Sequence, residues 1–175
     1  YEQGILKSVK GSDGKVHYTI NDLNAFGDIA QATFGNGIKT SVGYDSVGFT
    51  GTIVSYSDVS VIANVQRLDY TYDELGNVVI REDSSLENGP VIDNYTYDAM
   101  NRLSSQTTTS DVIGNYAKFK EYRYDKIGNI VYQTGIGEYT YHTNAPHAVK
   151  TAGNRNYTYD AAGNMINRNG DTITY

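Results

Sequence analysis

The pattern Tyr-x-Tyr-Asp, followed three residues later by Gly or Asn, constrains this chain more than any other feature. It recurs at one internal spacing while the residues around it change. It is present at Tyr70, Tyr72, Asp73 and Gly76; at Tyr95, Tyr97, Asp98 and Asn101; at Tyr122, Tyr124, Asp125 and Gly128; and at Tyr157, Tyr159, Asp160 and Gly163. Partial copies stand at Tyr44, Asp45 and Gly48; at Tyr18, Ile20, Asn21 and Asn24; and at Tyr139, Tyr141 and His142. A unit repeated this often within 175 residues implies one supersecondary element laid beside itself.

The chemistry of one copy predicts what that element is. Tyrosines at i and i+2 share one face of an extended strand, and Thr71, Thr96, Arg123 or Thr158 between them points the other way. Asp, two free residues, then Gly or Asn spells a three-residue hairpin loop: a type I turn headed by Asp, followed by a residue in the left-handed region. Gly carries no steric penalty there and Asn101 is the next best occupant, whereas other residues lose about 1–2 kcal/mol. With Glu74, Leu75 and Gly76 as the loop, Asp73 faces Asn77, Tyr72 faces Val78 and Tyr70 faces Ile80. The same counting sets Tyr97 opposite Leu103, Tyr124 opposite Ile130, Tyr122 opposite Tyr132 and Tyr159 opposite Met165. One face of each hairpin is then aromatic and aliphatic. A lone hairpin is marginal in water, so each copy needs its neighbours.

Composition agrees. The chain holds 17 Tyr but 4 Phe and no Trp, and 18 Gly but 2 Pro, a mixture of strand formers and turn residues. The expected fold is all-β, a repeat array of stacked antiparallel β-hairpins. It forms one domain over 1–175, with degenerate repeats over 1–69 and well-formed ones over 70–175. Further turns are expected at Gly11 to Gly14 and at Phe34 to Gly37, where Asn36-Gly37 is the strongest tight-turn dipeptide. Strands are expected at Thr52 to Tyr56 and Val59 to Leu68, and polar linkers at Asp83 to Pro90 and Thr107 to Gly114. Successive second tyrosines are 25 residues apart from Tyr72 to Tyr97, then 27, 17 and 18 on to Tyr124, Tyr141 and Tyr159. Between Tyr139 and Gly153 the Asp-to-Gly turn is replaced by a run from His142 to Val149. Neither end carries a polar capping unit, which predicts a piece of a longer array.

Several function classes are disfavoured. A net charge of −6 with scattered basic residues argues against a nucleic-acid surface. Absence of Cys removes disulfides and zinc-cysteine sites. No apolar run approaches the roughly 18 residues of a membrane span, and residues 1–15 do not resemble a signal peptide. The repeated Asp residues invite a glycosidase or calcium reading, but each turn offers one carboxylate, placed where the turn itself wants it. His142 and His147 have no third ligand nearby in sequence and His17 is remote, so neither metal nor cofactor is expected. No nucleophile context or phosphate loop is present, and no catalytic residue is expected. The sequons at Asn94 and Asn156 arise from the repeat itself. Exposed tyrosines would form a glycan-binding or adhesive surface; tyrosines facing Val, Leu and Ile across a packed layer would instead be buried. Open sheet edges would permit self-association with another copy.

The recurring YxYDxxGN pattern resembles the YD-repeat family, also called Rhs (rearrangement hotspot) repeats, across most of residues 18–175. The PHAV of Pro146 to Val149, followed by YTYDAAGNM from Tyr157 to Met165, is similar to an Rhs core segment. ATFGNGIKTSVGYD from Ala32 to Asp45 is similar to a spacer that precedes repeats in that family. The resemblance implies a segment of a large coiled β-shell, as in bacterial Rhs toxins, insecticidal toxin complexes and teneurins. In the toxin systems the shell encloses a C-terminal toxic domain before delivery. It implies that Tyr70, Tyr72, Asp73, Gly76 and their counterparts build the shell, that the partners are the rest of the shell and its toxin cargo, and that the protein is bacterial and secreted or on the cell surface. The family's Asp-Pro self-cleavage motif has no match, since Pro90 follows Gly89 and Pro146 follows Ala145. No protease activity is implied for this segment.

Overall fold

Strand-forming runs separated by turn residues dictate a meander, and the computed structural model is one. It describes residues 1, 4–57, 64–85, 87, 89–111 and 116–175. Sixteen strands are described: β1 (Ser8–Lys10), β2 (Val16–Leu23), β3 (Ile29–Phe34), β4 (Ile38–Tyr44), β5 (Thr50–Ser57), β6 (Asn64–Tyr72), β7 (Val78–Asp83) and β8 (Val91–Tyr97). The series continues with β9 (Leu103–Ser110), β10 (Tyr116–Tyr124), β11 (Ile130–Gln133), β12 (Gly137–His142), β13 (Ala145–Ala152), β14 (Arg155–Tyr159), β15 (Met165–Arg168) and β16 (Asp171–Thr172). Their order in the sheet is their order in the chain, so each strand is hydrogen-bonded to its sequence neighbours. The fold is all-β and antiparallel. Among the described residues no helix is long and apolar enough to cross a membrane, which says nothing of a barrel.

The chain divides into two units, one of Tyr1–Asn94 with Thr108–Ala117 and one of Tyr95–Thr107 with Lys118–Tyr175. In the first, Ile20 pairs with Ala32, Ala32 with Thr40 and Thr40 with Ser55, a row in which Ile20, Ala32 and Ser55 are buried. Leu68, opposite Ile53, is buried on the same face. In the second unit Ala152 is the one buried apolar residue among those described. The repeat tyrosines are half-buried.

Register departs from simple counting at one recurring place. Tyr72 faces Val78, Tyr124 faces Ile130 and Tyr159 faces Met165, but a bulge follows in each return strand. Val79, Val131 and Ile166 are passed over, so Tyr70 faces Arg81 rather than Ile80, and Tyr122 faces Gln133 rather than Tyr132. Gly51 is passed over in the same way between Tyr44–Thr50 and Gly43–Thr52. A bulge adds twist and re-aims the side chains beyond it.

Other expectations shift locally. Thr107 to Ser110 belongs to β9 rather than to a linker. Residues 59–63 of the expected Val59 strand, 112–114 of the Thr107 to Gly114 linker, and 86 and 88 of the Asp83 to Pro90 linker lie outside the described residues. In the degenerate copy at Tyr18, Asn24 heads the turn instead of closing it, and Gly27 closes it. Asn36-Gly37 does not form a two-residue turn: Gly37 alone has positive φ, and its N–H bonds to the Phe34 carbonyl across a three-residue loop. The two-residue turn occurs at Asn169-Gly170, where both residues have positive φ and Arg168 faces Asp171.

Within each unit, sequential antiparallel order puts alternate connections on the same margin. One margin carries the Asp- or Asn-headed loops. The other carries connections that range from two residues between β13 and β14 to seven between β7 and β8.

Candidate functional site

The repeat residues converge on seams, where the turn of one hairpin meets the turn of the next. Each seam is built from the Asp upward. In the turn at Asp73 the Gly76 N–H donates to the Asp73 carbonyl (3.1 Å), the Asp73 N–H donates to the Asn77 carbonyl (2.9 Å), and Gly76 has φ +83°. Asp125 with Gly128 and Asp160 with Gly163 repeat this geometry; Asp98 does so with Asn101, a non-glycine at φ +58°. The carboxylate serves the loop. Asp73 Oδ1 accepts the N–H groups of Leu75 and Asn77, both at 2.9 Å, and Oδ2 accepts Asn77 Nδ2 at 2.9 Å. Asp125 with Asn129 and Asp160 with Asn164 make the same set. At Asn24 the chemistry is exchanged: its amide oxygen accepts the N–H groups of Phe26 and Asp28, and its Nδ2 donates to the Asp28 carboxylate.

These bonds fix the charge of the turns. The Asn77 side chain holds the Asp73 carboxyl below its ordinary value, helped by backbone N–H groups. Arg102 does so for Asp98, and Asn164 for Asp160. For Asp125 desolvation pushes upward, and the N–H groups of Asn129, Ile127 and Gly128 together outweigh it.

In four copies the second tyrosine binds backward. Tyr44 donates its hydroxyl to the Ile29 carbonyl (3.0 Å), Tyr72 to Thr50 (2.8 Å), Tyr124 to Leu103 (2.8 Å) and Tyr141 to Ile130 (2.7 Å). Each acceptor lies five residues past the residue that heads the preceding turn. Burial raises the pKa of all four phenols. The first tyrosines have other roles: the Tyr70 hydroxyl bonds to Arg81 and the Tyr139 hydroxyl donates to Gln133 Oε1.

In three copies the residue just after the turn binds forward, a role that sequence reasoning missed. Phe49 stacks on Tyr72 with ring centroids 4.9 Å apart and lies over Gly76. Arg102 grips Asp98 Oδ2, lies over the Tyr124 ring at 4.5 Å and donates to the Asp125 carbonyl (3.2 Å). Asn129, buried, donates Nδ2 to the Pro146 carbonyl (2.8 Å) and accepts the His147 Nδ1–H (2.7 Å). The signal was the Asn that follows Gly in YxYDxxGN; its varied occupants, Phe49 and Arg102, hid the shared position.

Elsewhere, Arg81 spans Asp83 and Asp93, each at 3.1 Å, and Thr108 donates to the buried Asp93. Asp83 lies two residues along the same strand as Arg81, and Asp93 faces it across the β7–β8 pair, so both carboxylates are taken up within the sheet. Among the described residues no three His, Cys, Asp or Glu side chains come together as a metal would need. The arrangement is suited to holding hairpins in register.

No family model and no curated protein matches the chain. Among solved structures it is similar to a chain of the TcdB2-TccC3-Cdc42 crystal structure, with TM-score 0.65 and 18% identity over 90% of this chain and 10% of that one. It is also similar to a chain of the Photorhabdus luminescens Tc holotoxin pore carrying a TccC3 mutation, with TM-score 0.61 and 18% identity over 86% of this chain and 10% of that one. The likeness is one of fold. This chain spans about a tenth of the length of those chains.

Proposed function

We propose that this chain is a wall segment of a YD-repeat β-shell that encloses or presents a C-terminal toxin for delivery from a bacterium, with no catalysis in the segment itself. The observation that carries this reading is the seam, in which a copy binds backward through a tyrosine hydroxyl, as Tyr124 does, and forward through the residue after its turn, as Arg102 does. Such two-way stitching propagates a sheet indefinitely. Much of its chemistry is spent on the sheet itself: the turn carboxylates accept backbone N–H groups, and Tyr44, Tyr72, Tyr124 and Tyr141 donate to carbonyls. The fold likeness to chains of Tc toxin structures, and the sequence resemblance to Rhs repeats, support the same role.

A wall segment also needs neighbouring wall. In the first unit Phe26, Val47 and Leu75, and in the second Met100 and Ile127, occupy the same loop place and are 57–80% exposed. An apolar side chain recurring at every loop tip is suited to cover by the rest of a parent shell.

The test is to express the longer reading frame that contains this segment and challenge it with protease. A C-terminal domain that stays protected while the assembly is intact, and is cleaved after Tyr72→Phe, Tyr124→Phe and Tyr141→Phe together loosen the seams, is the expected result. A C-terminal region equally open to protease in both proteins would overturn the proposal.

A further inference from the structure

Two arginines lack the carboxylates that hold the others. Arg67 is paired with Asp69, Arg81 with Asp83 and Asp93, Arg102 with Asp98, and Arg123 with Glu121 and Glu138. Arg155, at the start of β14, and Arg168, at the end of β15, have no carboxylate of a described residue within ion-pair distance. Both are exposed, and among the described residues no hydrogen bond engages either guanidinium. With Asn169 and Asp171 they line a cavity of about 350 Å³.

Its walls match the surroundings of Arg81, less one group. Tyr70 faces Arg81 and Tyr157 faces Arg168, each beyond the bulge of its return strand. On the next strand Asp93 faces Arg81, and Asp171 faces Arg168. Asp83, two residues after Arg81, gives that guanidinium its second carboxylate at 3.1 Å, whereas two residues after Arg168 stands Gly170. A second cation is present besides. Arg155 precedes Tyr157 by two residues, which puts it on the face that Tyr157 and Arg168 share. Two guanidinium groups with one carboxylate leave one positive charge here, in a chain whose net charge is −6.

We infer that this cavity binds a carboxylate, supplied by an aspartate or glutamate side chain of another polypeptide segment. The guest takes the part that Asp83 plays beside Arg81. A carboxylate holds two oxygens in one plane, which match the N–H fork of one guanidinium and keep lone pairs for the other. The Asn169 amide on the same wall offers a further donor. One carboxylate neutralises the excess charge, whereas a phosphate dianion overshoots it beside Asp171. The arginine donors are exposed and unspent, so a guest reaches them without disturbing the sheet. The inference does not depend on the shell reading.

The test is an NMR titration of the whole chain at constant ionic strength, following the Nε–H signals of its arginines. The probes are the capped tripeptides Gly-Glu-Gly and Gly-Gln-Gly, acetate and inorganic phosphate. The expected result is saturable shifts of Arg155 and Arg168 with Gly-Glu-Gly and none with Gly-Gln-Gly, while Arg67 and Arg123, exposed but already paired, stay in place. Arg155→Gln and Arg168→Gln are each expected to weaken binding at least about fivefold and to leave the melting temperature unchanged. Asp171→Asn removes the resident carboxylate and is expected to tighten binding severalfold. No shift with Gly-Glu-Gly, equal shifts at Arg67 and Arg123, tighter binding of acetate or phosphate than of the glutamate peptide, or binding that survives both glutamine changes would each overturn the assignment.

Discussion

Two tyrosines that look equivalent in the repeat are not equivalent in the fold, and hydroxyl removal separates them. Tyr124 donates to the Leu103 carbonyl, whereas among the described residues no hydrogen bond engages the Tyr122 hydroxyl. Tyr124→Phe is expected to cost about 1 kcal/mol, or about 2–4 °C in melting temperature, and Tyr122→Phe close to nothing. Equal losses would refute the backward stitch. Glycines divide in the same way. Gly128→Ala meets open space and pays about 1 kcal/mol for its positive φ, while at Gly76 a methyl group would also press on the Phe49 ring, 2.9 Å away. Gly76→Ala should therefore melt lower than Gly128→Ala, by up to about 1 kcal/mol if the Phe49–Tyr72 stack is lost. The turn geometry was legible at this scale because φ > 0 admits so few residue types; Asn101 stands where Gly stands elsewhere for that reason. The forward side chain was harder to read, since stacking, a cation over a ring and an amide hydrogen bond do the same job with different residues.

A hairpin is read from its loop outward, and the reading holds only as far as the first bulge. Tyr72, Tyr124 and Tyr159 face the expected partners, yet Tyr70 and Tyr122 do not, because Val79 and Val131 are passed over. A bulge of this kind demands no special residue, as the mix of Gly51, Val79, Val131 and Ile166 demonstrates, so composition carries no sign of it. Nor does a dipeptide fix a turn alone. Asn-Gly forms a two-residue turn at Asn169 but sits in a three-residue loop at Asn36, where Gly35 supplies the extra place. The β12–β13 hairpin lost the Asp-headed loop and is held instead from the previous turn through Asn129. Asn129→Ala would remove the donor to Pro146 and the acceptor for His147, and is expected to cost about 1–3 kcal/mol, measured by denaturant unfolding. A loss no larger than that of an exposed Asn-to-Ala change would show that hairpin to be self-sufficient.

The whole chain should be most stable over a broad plateau with a separate limb on each side. Asp73, Asp98, Asp125 and Asp160 are depressed below an ordinary value near 3.8, so their contribution is present above that pH and is lost as pH falls through the lower folded values. Tyr72, Tyr124 and Tyr141 are raised above 10.0 by burial, so their contribution is complete below that pH and disappears as pH rises through the higher folded values. Melting temperatures across pH 2 to 12 should fall at both ends, and the triple change Tyr72→Phe, Tyr124→Phe and Tyr141→Phe should make only the alkaline limb shallower, Tyr44, Tyr139 and Tyr159 keeping their share of it. The two margins of each unit differ in another respect. The Asp-headed loops keep one length of five residues in every copy, while the strands and the opposite connections together take up the differences between the 25-, 27- and 17-residue intervals. The array works like a zip whose teeth are all one size: each tooth keeps count, and the cloth between teeth can be let out or taken in without losing step.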